Sequence, residues 1–82
     1  GYTPVRRNSL LALGLLGDRD SLPLIRKHLA DGDEDARGAA AEALARLGDT
    51  AALDALRKQL DVEPVAWVQQ VIRRSIEKLR TP

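Results

Sequence analysis

The 82-residue sequence predicts an all-α fold of five helices, and three observations support this prediction. The chain contains 14 Leu and 12 Ala but only 11 β-branched residues, a composition that favours helices over a sheet. A short apolar pattern recurs along the chain, as repeat proteins require. Glycines follow the predicted helical segments, where they end helices. Because the chain is short and lacks cysteine, we expect one domain without disulfides or thiolate metal sites.

The repeat is clearest in residues 13–18, whose Leu-Gly-x-x-Gly-Asp pattern has a counterpart, Leu-Ala-x-x-Gly-Asp, in residues 44–49, at an offset of 31. A third copy follows the second at an offset of 32, and the extra residue falls within 61–64. The copies cover about residues 5–31, 36–62 and 68–80, or roughly two and a half units of one domain, 1–82. The chain begins with Gly1 and contains no Met, which predicts that it is a fragment of a longer array.

Start and stop signals divide the chain into five predicted helices: 4–16, 21–30, 34–47, 51–60 and 64–80. Thr3 is placed to cap the first helix, and Pro4 occupies its first position, where a missing N–H costs nothing. Gly17 ends this helix. Pro23 falls in the first turn of the second helix, where proline is tolerated.

The remaining predicted helices have similar signals. Asp33 caps the third helix and Gly48 ends it. Thr50 or Asp49 caps the fourth helix, and Pro64 opens the fifth. An apolar stripe at helical spacing identifies the buried face of the third helix: Ala36, Ala40, Ala43, Leu44 and Leu47.

The repeat unit has a Val-Arg start at Val5 and Arg6, the Leu-Gly-x-x-Gly-Asp pattern, and a second amphipathic helix with an early proline. In these features it resembles the HEAT-like repeat of the phycobilisome (PBS) lyase type. The third copy departs from the pattern, with Gln69 in place of the arginine and Arg80 in place of the glycine. The resemblance implies stacked helical hairpins in a right-handed α-α superhelix, an armadillo-like solenoid. It also implies a concave side lined by the second helix of each unit.

This resemblance implies a non-catalytic scaffold that binds another protein through its concave face. The candidate binding positions lie off the core stripe at equivalent places of the first, third and fifth helices: Arg7, Asn8, Leu11, Leu15; Gly38, Ala39, Glu42, Arg46; Gln70, Val71, Arg74, Lys78. Two alternatives stay open, an accessory or substrate-binding part of a lyase-type or DNA-repair enzyme, and nucleic-acid binding by the same face. An enzyme is disfavoured because the only acid among these positions, Glu42, has a helix-surface partner in Arg46.

Two residues allow both a binding and a structural interpretation. Gly38 lies inside a helix, where glycine costs roughly 1 kcal/mol relative to alanine. Either a partner approaches the backbone closely there, or the glycine is simply tolerated. Trp67 lies off the apolar stripe of the fifth helix. It is either an exposed binding hot spot or a ring packed over loop 61–64 or against the fourth helix.

Several other features predict no chemistry. By the resemblance, Arg6 and Arg37 form a ladder of bonds to loop acids: Asp31, Asp33 or Asp49. The acidic run 31–35 with Glu42 mimics the spacing of a calcium loop but lacks its essential glycine, so helix capping is the favoured interpretation. His28 has no nucleophile or further ligand pattern beside it. We therefore expect no cofactor and no metal.

Charge and hydropathy restrict the partners further. Residues 31–63 carry nine acidic and four basic side chains, and this acidic middle interrupts any continuous basic stripe. Nucleic acid is therefore a disfavoured partner. No apolar run is long enough to cross a membrane. The absence of a leader and of cysteine favours a cytoplasmic location.

The first predicted helix is apolar around most of its circumference, and no earlier helix of the chain covers it. Leu11 and Leu15 belong to this exposed leucine surface. We expect the fragment to form a homodimer through this helix.

Overall fold

The computed structural model describes residues 19–81, and within this part every regular element is helical, with no β-strand. Its four α-helices are α1 (Leu22–Lys27), α2 (Glu34–Arg46), α3 (Leu53–Val62) and α4 (Ala66–Arg80). Short 3₁₀ turns flank α1, and another precedes α3. The four helices correspond to the second to fifth predicted ones. The first predicted helix, 4–16, lies outside the described residues.

Helix α2 has the start and the end that its sequence predicts. The Asp33 carboxylate accepts a hydrogen bond from a backbone N–H of the first turn, at 3.2 Å. At the other end, Gly48 adopts a φ of +68°, a left-handed conformation that favours glycine. The N–H of Gly48 donates to the Ala45 carbonyl and the N–H of Asp49 to the Leu44 carbonyl, which together close the last turn.

Helix α2 is the centre of the packing. It lies along α4, and it also contacts α1 and the turn that follows α1, while α3 packs against α4. Nine of the thirteen α2 residues are buried, which is why a short Ala-rich helix suits this position. The predicted apolar stripe of this helix is buried throughout. The largest fully buried side chains of the core are Ile25, Leu44, Leu56, Val68 and Ile72.

Helix α4 begins two residues later than predicted, at Ala66 instead of Pro64. A proline disfavours helical geometry in the residue before it, and Glu63 is extended accordingly, with φ −71° and ψ 117°. Val65 is also extended, because its N–H donates to the Glu63 carboxylate at 3.1 Å. The first helical hydrogen bond therefore runs to the Val65 carbonyl, from the N–H of Gln69.

The start of α3 also differs from the prediction. Neither Thr50 nor Asp49 caps it by a side-chain hydrogen bond, and a 3₁₀ turn, Thr50–Ala52, leads into the α-helix. The reason lies in Asp49, whose carboxylate is held by both the Nε and an Nη of Arg26, at 2.7 and 2.9 Å. A carboxylate engaged in this way does not turn back to its own helix.

Candidate interaction groove between α2 and α4

A groove of about 290 Å³ runs between α2 and α4, the equivalent helices of consecutive units. Glu42, Ala45 and Arg46 line it from α2. Val71, Arg74, Ser75 and Lys78 line it from α4. Five of these seven residues are candidate binding positions of the sequence: Glu42, Arg46, Val71, Arg74 and Lys78. The exceptions, Ala45 and Ser75, are small residues of the floor.

The groove carries more positive than negative charge. Glu42 and Arg46 form an ion pair across one helical turn, at 3.1 Å, with 46% and 44% of the two side chains exposed. Arg74 and Lys78 stand exposed on the opposite wall, and within residues 19–81 neither has an ion-pair partner. The lining therefore presents two uncompensated cations.

The floor of the groove consists of small residues, and its buried hydroxyl group already has a hydrogen-bond partner. Ala45 and Ser75 are buried, and the Ser75 hydroxyl donates to the Val71 carbonyl one turn earlier, at 2.8 Å. Val71 is half-buried and adds an apolar wall. The buried hydroxyl therefore already donates its proton inside the helix, and the charged groups of the groove lie on its walls.

Trp67 lies at the opposite end of the same helix pair, near the starts of α2 and α4. Its indole Nε1–H donates to Oε1 of Glu34 at 2.7 Å. A Cβ at Gly38 would lie 2.6 Å from Cζ3 and 2.7 Å from Cη2 of the indole, so the ring lies directly on the Gly38 backbone. The ring remains 42% exposed.

This contact changes the interpretation of both residues. Gly38 is buried. The close approach that glycine allows is made by Trp67 of the same chain, whereas the sequence suggested a partner protein or a tolerated glycine. Trp67 packs against α2, a contact that neither of its two interpretations from the sequence includes. Its exposed edge lies outside the groove lining, one helical turn before Val71 on α4.

The other candidate positions fall in different places. Ala39 is buried in the core, so it offers no surface to a partner. Gln70 is exposed on α4 but does not line the groove. Arg7, Asn8, Leu11 and Leu15 lie outside the described residues, as does the homodimer surface of the first predicted helix.

One rung of the predicted arginine ladder is present, and its acid partner differs from the predicted ones. Nε and an Nη of Arg37 donate to the Glu63 carboxylate at 2.7 and 2.9 Å, and its other Nη donates to the backbone carbonyl of Asp31 at 2.9 Å. Glu63 is not among the acids that the resemblance implies, which are Asp31, Asp33 or Asp49. Asp49 pairs with Arg26 instead. The Arg6 rung lies outside the described residues.

Glu63 is almost completely buried, and it is kept charged by its partners. Burial alone raises the pKa of this carboxyl group, but the hydrogen bonds from Arg37, Gln59 and the Val65 N–H outweigh burial and hold the pKa below its ordinary value. The Arg37–Glu63 pair is therefore part of the structure and is closed to a partner.

His28 and the acidic run have local roles. His28 Nδ1 lies 3.0 Å from Oδ2 of Asp31, and Oδ1 of Asp31 accepts the N–H of Asp33. In the part of the chain that the structure describes, no three His, Cys, Asp or Glu side chains gather closely enough to hold a metal ion. The same part contains no helix long and apolar enough to cross a membrane.

Comparison with known proteins supports the repeat interpretation. The family model for HEAT repeats matches residues 2–77. A Geobacillus stearothermophilus protein, described as the uncharacterized protein in the gldA 3′ region, is 38% identical over 81 residues. The match takes in 98% of this chain and spans 38% of the length of that relative. No solved structure gives a significant match.

Proposed function

Because the chain belongs to the HEAT-repeat family, we propose that it is a non-catalytic module that binds another protein through the groove between α2 and α4. One observation carries the proposal. Side chains chosen from the repeat register alone, Glu42, Arg46, Arg74 and Lys78, line one groove. We also propose that the chain is part of a longer solenoid of lyase-type HEAT-like units.

The position of the groove supports this role. Units of a repeat protein contact only their neighbours, so a surface that spans two units exists only when both are folded and stacked. The two walls of the groove come from such neighbouring units. A partner bound there contacts both walls at once, and its binding requires the native stacking.

The full-length protein tests the proposal. We expect Arg74→Glu combined with Lys78→Glu to reduce the amount of partner recovered by quantitative affinity purification. The control, Arg57→Glu with Lys58→Glu, makes the same change in charge on the exposed face of α3, away from the groove. Equal recovery with both double variants would refute the proposal, provided that their circular dichroism spectra and unfolding midpoints match the wild type.

A further inference from the structure

Two cations of the groove, Arg74 and Lys78, are left without neutralisation by the described part of the chain, whereas the arginines that join the repeat units, Arg26 and Arg37, are paired. Arg26 is held by Asp49 and Arg37 by Glu63, both with two hydrogen bonds. Arg74 and Lys78 stand exposed beside the groove, one helical turn apart. Like charges at this spacing repel each other mildly, so an anion between them relieves a small cost.

The opposite wall adds a third cation that is only partly neutralised. Arg46 lies across the groove from Lys78 and shares a single hydrogen bond with Glu42, in a pair that is about half exposed. An exposed pair of this kind is worth little in water, so Arg46 is free to rotate toward an incoming carboxylate. Three cations against one anion complement an acidic ligand.

The surface changes character along α4. Trp67 and Val71 lie one turn apart at the start of the helix, and the two free cations follow toward its end. The order of these residues along α4 therefore places an apolar, aromatic contact surface near the start of the helix and positive charge near its end. A ligand that uses both contains acidic side chains with an apolar side chain a few residues away.

The size of the groove favours a short segment over a cofactor. Its volume of about 290 Å³ lies at the lower edge of the roughly 300–1,000 Å³ typical of small-molecule sites. A groove of this size accepts two or three side chains of an extended or helical segment. The rest of the segment then lies on the open surface beside it.

We infer that the groove between α2 and α4 binds an acidic segment of a partner protein, with its carboxylates on Arg74 and Lys78 and an apolar side chain against Val71, one helical turn from Trp67. This inference rests on the proposed function and specifies the chemistry of the partner.

Three synthetic peptides test the inference with the chain as it stands. One repeats Leu-Glu-Glu, the second replaces each Glu by Gln, and the third replaces each Glu by Lys. Calorimetry measures the affinity, and a change in the emission of Trp67, the only tryptophan, shows whether the bound segment extends along α4 to that ring. We expect the Glu peptide alone to bind. Arg74→Glu with Lys78→Glu should weaken its binding by about tenfold or more, because two attractions become repulsions, while Arg57→Glu with Lys58→Glu leaves it nearly unchanged.

The other outcomes separate this inference from the proposed function. If the Glu and Gln peptides bind equally, or the control variant weakens binding as much as the groove variant, the acidic specificity is wrong. If a single-stranded oligonucleotide binds the groove more tightly than the Glu peptide at equal ionic strength, the occupant is a nucleic acid and the inference is overturned. In either case, partner recovery by the full-length protein that still depends on Arg74 and Lys78 leaves the proposed protein-binding function standing.

Discussion

Two arginines of the same helix have opposite roles. Arg37, near the start of α2, is 8% exposed and donates to the Glu63 carboxylate and to the Asp31 carbonyl. Arg46, at the end of α2, is exposed and donates once, to Glu42 on its own helix. The residue type is the same and the helix is the same. What differs is burial and the number of partners from other elements.

The comparison shows how to separate structural charge from available charge in this protein. A buried guanidinium is stable only when its donors are satisfied, and this requirement fixes the loop that carries Glu63. An exposed guanidinium has water as an alternative partner, so it remains free to bind a ligand. Arg37 therefore connects the repeat units, and Arg46 belongs to their surface.

The largest effect should come from Arg37→Met. This change leaves the Glu63 carboxylate buried without its cation, and we expect a loss of about 3–5 kcal/mol in the free energy of unfolding. Urea denaturation followed by circular dichroism measures it. Arg46→Met is the matched control on the same helix. If the two variants lose equal stability, the distinction drawn here between the arginines is wrong.

A second prediction concerns pH. The folded-state pKa of Glu63 is below its ordinary value of 4.5, so the ionised carboxylate favours the folded state. This contribution is fully present above pH 4.5 and is lost as the pH falls through the lowered pKa of the folded state. Unfolding midpoints of the wild type and of Glu63→Gln should therefore converge as the pH falls below 4.5. A constant difference down to the most acidic buffer that keeps the chain folded would contradict this.

The third prediction concerns Gly38→Ala. The new Cβ displaces the indole of Trp67, which should shift its emission to the red and break the hydrogen bond to Glu34. The ring is exposed on one side and can move outward, so the cost offsets part of the roughly 1 kcal/mol that alanine gains in a helix.

The double variant isolates this contact. With Trp67→Ala already present, Gly38→Ala should stabilise the chain by about 1 kcal/mol, since only helix propensity remains. An equal effect of Gly38→Ala in both backgrounds would show that the ring and the glycine are not coupled. An emission maximum of Trp67 that is the same in the wild type and in Gly38→Ala would lead to the same conclusion.

The smallest effect should come from Arg46→Ala. It removes one exposed ion pair at a spacing of four residues on the helix, worth about 0.2–0.5 kcal/mol. Thermal unfolding at low and at 1 M salt measures it, and the small difference from the wild type should vanish at high salt. A loss above about 2 kcal/mol would place Arg46 in the same structural role as Arg37.

Local signals predict the helical elements of the described residues and the bounds of α2. The capping by Asp33 and the stop at Gly48 depend on residues within one turn, so they can be read directly from the sequence. The starts of α3 and α4 could not be read from the sequence in this way. The Asp49 carboxylate binds Arg26 instead of its own helix, and the Glu63 carboxylate accepts the N–H of Val65. At Asp49 a contact from another unit competes with the local rule, and at α4 a hydrogen bond between residues two apart delays the start of the helix.

Part of the groove lining could be predicted from the sequence, and the reason is physical. Stacked equivalent helices bring residues about one repeat apart into proximity, and Glu42 and Arg74, like Arg46 and Lys78, are separated by one repeat offset. The same rule identifies the contact that was missed, since Gly38 and Trp67 are separated by nearly one repeat. The partner of Arg37 was missed because several loop acids compete for it in the sequence, and only distance decides between them.

The two arginine–carboxylate pairs, Arg26–Asp49 and Arg37–Glu63, have a consequence for how the chain unfolds. Arg26 of one unit holds Asp49 in the middle of the next, and Arg37 of that unit holds Glu63 in the loop before α4. Each pair joins segments more than twenty residues apart. Local unfolding of one unit therefore breaks hydrogen bonds that hold the neighbouring unit in place. Slow amide hydrogens of α2 and α4 should therefore exchange together, in one cooperative opening. We therefore expect the described repeat units to unfold together, as a single cooperative unit.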